Sequence, residues 1–268
     1  MGRFFKEFLE SSRYDVHVIE SDTDPKVRKD LLKDARTVIV SVPIPLTESV
    51  IEQLLPDLNT GALLIDLTSL KAKPLQAMLK HSGEVLALHP MFAPSPQGIT
   101  GQTIVDCGGR IGSLAAEFRD LLTQNGVHLC QMGAKQHDEL MAVVQGMNHF
   151  HSIAFAHAVG KLGVSIEDTI SVASPVYLAR IQMMGRILAQ DAGLYADILL
   201  QNQDSLAALR AFMNSCQELL DAVSSGSRER CIEFFQGAAT SFGDYRYTAL
   251  QESEDILEVI KALRSEKN

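Results

Sequence analysis

A change of rhythm near residue 133 limits what this 268-residue chain can fold into. Before it, short apolar runs rich in β-branched residues alternate with amphipathic segments. After it, strand signals all but vanish. The apolar runs are "DVHVIE", "TVIVSVP", "ALLIDLTS", "EVLALHP", "QTIVDCG" and "VHLCQMG". Between them lie segments of helical period. One is "DPKVRKDLLKDA", with Asp24 at the cap and Pro25 in the first turn. Apolar strands joined by helices predict a parallel sheet covered on both faces. The later half reads as helices, broken at Gly163, Gly193 and Gly226, with Pro175 opening one of them. The sequence therefore predicts an α/β fold with a Rossmann-like, doubly wound parallel sheet over residues 1–133. An all-α helical domain follows over residues 134–268.

Charge and composition narrow the function classes. The chain is 46% hydrophobic, enough to bury a full core, and carries a net charge of −9 without long basic runs. Nucleic acid and anionic membrane surfaces are thus excluded as general partners. No apolar stretch approaches the roughly 18 residues of a membrane span. The opening "MGRFFKEFLESSR" is charged throughout, unlike a signal peptide, so a cytoplasmic location is expected. Cys107, Cys130, Cys216 and Cys231 form neither a CxxC pair nor a cluster with histidine, and read as buried, reduced thiols. No metal-ligating set is present.

Open parallel sheets bind ligands beyond the C-terminal ends of their strands, so polar residues at those ends are the candidates. "MG" before an amphipathic helix can be the last glycine of a dinucleotide-binding G-x-G-x-x-G turn, lacking what precedes it. Glu20, after "DVHVI", stands where an acidic residue bonds the ribose hydroxyls of NAD; it can equally be a turn acid. His89 in "ALHPMFAP" falls where a strand meets its loop, a place suited to a general base or to an ordinary satisfied histidine. Ser41 in "VSVP" occupies the corresponding end of another strand and can orient an imidazole. Arg186 lies amid Ile181, Met183, Met184, Ile187 and Leu188, and is expected to be buried. There it needs an anion, either a carboxylate ligand or an internal partner such as Asp191 or Asp197. His149 and His151 lie on an apolar helical segment. His137 and Asp138 in "KQHDEL" read as a solvated helix start rather than a site.

Taken in order, "MGRFFKEFL", "TVIVSVPIPLTESVI", "LLIDLTSLKAKPLQAML", "VLALHPMFAP", "QHDELM", "NHF", "SPVY", "MMGRILAQDAGLYADI" and "FGDY" resemble prephenate dehydrogenases nearly end to end. The resemblance is strongest to the dehydrogenase portion of the bifunctional chorismate mutase–prephenate dehydrogenases. It implies an enzyme that oxidatively decarboxylates prephenate to 4-hydroxyphenylpyruvate, with NAD as hydride acceptor. The family's catalytic histidine falls on His89 and its histidine-orienting serine on Ser41. Substrate-binding positions fall on Arg186, His149 and Lys71. Gly2, Glu20, Val42, Pro43, Thr68 and Ser69 fall on the cofactor-binding positions. A homodimer through the helical domain is implied, with substrate between the two domains.

The sequence departs from the family in three ways. Leu178 stands where close relatives carry a second arginine. No mutase or regulatory domain flanks the chain. The first strand and the first two glycines of the nucleotide-binding motif are absent, which implies that Met1 is an internal methionine of the natural protein. Alternatives at this stage are an arogenate dehydrogenase, another two-domain hydroxy-acid dehydrogenase, and a non-catalytic helical dimer or regulatory remnant.

Overall fold

A computed structural model describes residues 1–265 and divides the chain into two compact units. The first comprises Met1–Ala142 and Ala196–Asp204; the second comprises Val143–Tyr195 and the residues from Ser205 onward. In chain order the first unit contains α1 (Gly2–Ser11), α2 (Pro25–Asp34), β1 (Thr37–Val40), α3 (Thr47–Leu54), β2 (Leu63–Asp66), α4 (Ala72–Met78) and β3 (Glu84–Pro90). It continues with β4 (Thr103–Arg110), α5 (Ser113–Gln124), β5 (His128–Gln131) and α6 (Ala134–Met141).

The five strands form one sheet in the order β1-β2-β3-β4-β5. Three of the four pairings are parallel, as the alternating pattern predicts. The β3–β4 pair is antiparallel. It is joined by residues 91–102, which contain no crossover helix, and a parallel neighbour would need one. Alternate residues of each strand feed opposite faces. Leu63, Ile65, Leu86, Leu88 and Ile104 pack with Phe5 and Leu9 of α1 and with Phe118 and Leu122 of α5. Leu64, Val85, Ala87 and Val105 pack with Leu32 of α2, Ile51 of α3 and Met78 of α4. Helices thus cover both faces of the sheet.

The expectation of a strand at "DVHVIE" is not met. Residues 15–20 form no ladder, and β1 is the edge of the sheet. Val18 is about half exposed, so the apolar alternation has no neighbouring strand to pair with. The cysteine expectation also needs correction. All four are free thiols, but only Cys107 is buried and Cys216 is exposed. Burial pushes the Cys107 thiol up to about 12.

The register of β3 and β4 shifts between Leu86 and Leu88, and two glycines of β4 make the bulge possible. Gly108 has φ +73° and Gly109 has φ +146°. A Cβ on Gly109 would run into the carbonyl of Val85. We therefore expect Gly109→Ala to destabilise the protein by about 2–3 kcal/mol, read as a lower urea midpoint with an unchanged slope. Arg110, next in the strand, ties the turn before β3 to the sheet. It donates to the carbonyls of His81, Gly83 and Leu79. Glu84, opening β3, receives the amides of Gly112, Leu114 and Ala115 and so caps α5.

Beyond α6 the chain runs through a π-helical stretch, Ala142–Met147. The helices α7 (Asn148–Lys161), α8 (Ile166–Ser171), α9 (Pro175–Leu188), α10 (Ala192–Gln201), α11 (Ser205–Ser224), α12 (Arg228–Phe242) and α13 (Tyr245–Ser265) follow. Ser165, Ser174 and Ser227 cap α8, α9 and α12 through their hydroxyls. Among the described residues no helix is long and apolar enough to cross a membrane.

Candidate active site

The C-terminal ends of β1, β2 and β3 lie at one edge of the sheet and carry the polar residues singled out above. His89 is the penultimate residue of β3, and only 2% of it is exposed. Its Nδ1 lies 2.8 Å from Nε2 of His137. Nδ1 of His137 in turn lies 2.8 Å from Oδ1 of Asp138. The Asp138 carboxylate also receives the backbone amides of Lys71 and Ala72 at the start of α4, both at 2.9 Å. The Asp138 carbonyl accepts from Asn202 Nδ2 at 2.8 Å.

These contacts correct the reading of "KQHDEL" as a solvated helix start. His137 is fully buried, and it joins the candidate base to a carboxylate. Forty-eight positions separate His137 from His89, so nothing local announces the contact. The usable signal was the placement of a histidine–aspartate pair at the first turn of the helix that leaves β5.

The electrostatics follow from burial. Desolvation holds His89 well below the ordinary histidine value, and the charges of His137 and Lys71 add to the effect. His89 is therefore neutral at neutral pH. Burial works to raise Asp138, but the hydrogen bonds from His137, Ala72 and Lys71 outweigh it and keep that carboxyl below its usual range. An ionised Asp138 accepts from Nδ1–H of His137. When His137 Nε2 carries no proton, it accepts from Nδ1–H of His89. In that tautomer the lone pair of His89 is on Nε2.

Lys71 is fully buried. Its ammonium lies 2.5 Å from Asp66 Oδ2 and 2.6 Å from the carbonyl of Leu88, the residue before His89. Burial pushes Asp66 up and Lys71 down, and their mutual attraction opposes both shifts. Its side chain is thus committed to holding strand ends together.

The remaining candidates at this edge are placed as follows. Gly2 opens α1 directly against Ser41; a Cβ on Gly2 would approach the Ser41 Cβ and Oγ to 3.3 Å. Nδ1 of His89 is met by His137. Thr68 is buried, with an Oγ1 that has no hydrogen-bond partner. Ser69 and Val42 are half-buried, whereas Pro43 and Glu20 are exposed. The Glu20 amide is tied back by Thr23 Oγ1 at 2.8 Å.

A second cluster lies in the helical unit. The half-buried ring of His149 on α7 meets Tyr195 edge-to-face, with centroids 4.8 Å apart. Burial lowers the His149 imidazole, whose Nδ1 is buried without a hydrogen-bond partner. Burial also raises Tyr195, and the positive charge of Arg186 opposes that shift, so the guanidinium is electrostatically close to the ring. The expectation that Arg186 is buried fails: it is exposed, because the apolar side of α9 turns Leu178, Ile181 and Met184 inward instead. Asp191, one proposed internal partner, accepts from the Leu194 amide at 2.8 Å. Leu178 is itself core, and Arg180 lies 3.4 Å from His151.

A sheet with helices on both faces, a buried neutral imidazole at its strand ends and a companion helical unit define a two-domain dehydrogenase of the nucleotide-binding type. The family is narrower still. Residues 11–104 match the prephenate dehydrogenase nucleotide-binding domain and residues 133–237 the prephenate dehydrogenase dimerization domain. The chain belongs to the prephenate dehydrogenase family. It is 36% identical over 258 residues to the T-protein of Enterobacter agglomerans, covering 96% of this chain and 69% of that one. It is 34% identical over 265 residues to the T-protein of Haemophilus influenzae, covering 98% and 70%. The fold is similar to that of prephenate dehydrogenase from Aquifex aeolicus in complex with hydroxyphenyl propionate and NAD+. The TM-score there is 0.64 at 16% identity, covering 88% of this chain and 83% of that one.

Proposed function

We propose that this chain catalyses the NAD-dependent oxidative decarboxylation of prephenate to 4-hydroxyphenylpyruvate. The observation that carries the reading is the buried, neutral His89 at the strand ends, whose Nδ1 faces His137. In the tautomer that donates to His137, Nε2 is the basic nitrogen, suited to draw the proton from a ring hydroxyl. The electron pair released from that O–H forms the carbonyl as hydride leaves the same carbon; loss of the ring carboxylate as carbon dioxide then gives the aromatic product.

The residues at the strand ends fit a dinucleotide. Gly2 permits the close approach of α1 to Ser41, and the orphaned Thr68 Oγ1 is a polar group waiting for a partner. Gly2, Val42, Pro43, Thr68 and Ser69 are the residues that would hold the cofactor, and Glu20 would meet its ribose hydroxyls. Bound NAD supplies the hydride acceptor. Arg186 and His149 of the helical unit are assigned to the substrate, an exposed guanidinium being suited to a carboxylate. Ser41 is assigned to the cofactor side of His89, and Lys71 to the support of β3 rather than to direct contact.

The helical unit is assigned to a homodimer. The matched dimerization domain supports this, as do the exposed Phe235, Phe242, Leu250 and Ile256, which are costly to leave in water. The test of the function is direct. The purified protein mixed with prephenate and NAD should build NADH absorbance and release carbon dioxide in equal amount. A folded protein that forms neither refutes the proposal.

A further inference from the structure

We propose that His137 and Asp138 form a proton relay behind His89, so that the proton taken from the substrate hydroxyl leaves its charge on the His137–Asp138 pair. The inference rests on the assignment of His89 as the base. It stands on geometry: two 2.8 Å contacts in series, His89 Nδ1 to His137 Nε2 and His137 Nδ1 to Asp138 Oδ1. Both imidazoles are buried, and the carboxylate is anchored by two backbone amides of another element.

The proton balance is simple. The substrate O–H breaks as an N–H forms on His89 Nε2. The proton on His89 Nδ1 passes to His137 Nε2. His137 is then an imidazolium beside the Asp138 carboxylate, and His89 is again neutral with its proton on the other nitrogen. No oxidant beyond NAD is required. As carbon dioxide leaves, the ring oxygen becomes a phenolate and takes a proton back from His89 Nε2 while His137 returns its proton to His89 Nδ1, so the relay is reset with no net proton release.

The relay answers a specific difficulty. A lone imidazolium at His89 would be buried among unfavourable neighbours. Lys71 lies close on one side, and its charge opposes a second positive charge. Asp66 is already matched to Lys71. The Cys107 thiol, pushed up to about 12, stays neutral over the working range. Asp138 is the remaining carboxylate in this set, and it meets His137 Nδ1 at 2.8 Å. Moving the charge one imidazole outward places it against that carboxylate. The arrangement orients His89 as an aspartate orients a catalytic histidine elsewhere, but with a second titratable ring interposed.

The test uses His137→Gln and Asp138→Asn in the full chain, with His89→Asn as reference. Glutamine keeps a hydrogen-bonding group in place of the ring but cannot carry the proton. We expect kcat to fall about ten- to a hundred-fold with KM little changed. The acid limb of log kcat should move down by about one pH unit or more in both variants, because the proton must then reside on desolvated His89 or on an unpaired His137. The double variant should be little worse than either single one. Nitrogen-15 NMR of the wild-type protein at pH 8 should find the His89 proton on Nδ1. An unmoved acid limb, or a His89 proton on Nε2, overturns the relay while leaving His89 as base. Full activity in His89→Asn overturns the base assignment itself.

Discussion

His89→Asn is expected to lower kcat by about 10²–10⁴-fold while KM for prephenate changes little. Asparagine is small enough for the buried site, and its amide can still meet His137 Nε2, so the strand end need not rearrange. What disappears is a nitrogen able to take a proton at the moment hydride departs. The loss should therefore fall on the chemical step and not on binding. The pH profile gives the second reading. In the wild-type enzyme, rate is expected to fall on acidification, since a protonated base cannot accept the substrate proton. The variant has no base to protonate, so its residual rate should lack that limb. Initial rates of NADH formation between pH 5 and 9, with unfolding curves to confirm the fold, decide the matter. A variant that keeps wild-type kcat would remove His89 from the chemistry and leave it a packed strand-end residue.

The sheet was readable from the sequence because its strands are short, apolar and β-branched, and because helices of clear period separate them. "LLID" is buried at every position, as a strand covered on both faces must be. The failure at "DVHVIE" has the opposite cause: the local pattern is right, but a strand exists only with a ladder partner. The antiparallel β4 was hidden for a related reason. Strand direction depends on the connection, and residues 91–102 carry little pattern to read.

The site divides in the same way. His89 could be singled out because strand ends are where such folds place chemistry, and it lies buried at one. His137 was missed because a one-dimensional reading sees only its polar neighbours Gln136 and Asp138. Its burial arises from α6 folding back on the end of the sheet. Arg186 shows the reverse error, since apolar neighbours along a helix do not bury a residue that lies on another face.

Lys71→Met should be the most damaging single change to stability. The Lys71 ammonium and the Asp66 carboxylate are both fully buried, 2.5 Å apart. Removing one partner of a buried pair leaves the other uncompensated, a loss of about 3–5 kcal/mol. Methionine approximates the volume of the stem, so the loss is electrostatic rather than a cavity. The pH dependence has a definite sign. Burial already pushes Asp66 up, and losing the lysine removes the attraction that opposed the rise. A carboxyl whose folded pKa lies above its unfolded value binds more protons when folded. Its burden on stability is therefore small below about pH 4 and grows as pH rises through the folded pKa. Urea unfolding of Lys71→Met should show its largest deficit near neutrality and a smaller one at pH 4 to 5. Adding Asp66→Asn should recover part of the deficit at neutral pH, since an amide can be buried without charge. Recovery should be incomplete, because the carbonyl of Leu88 still lacks the donor that Lys71 supplied. That carbonyl belongs to the residue before His89, so the double variant separates two roles of the lysine. Restored stability with depressed kcat would mean that Lys71 also holds the catalytic strand end in place. If the single variant matched the wild type at pH 7, the buried pair would contribute nothing to the fold, and the support assigned to Lys71 would be wrong.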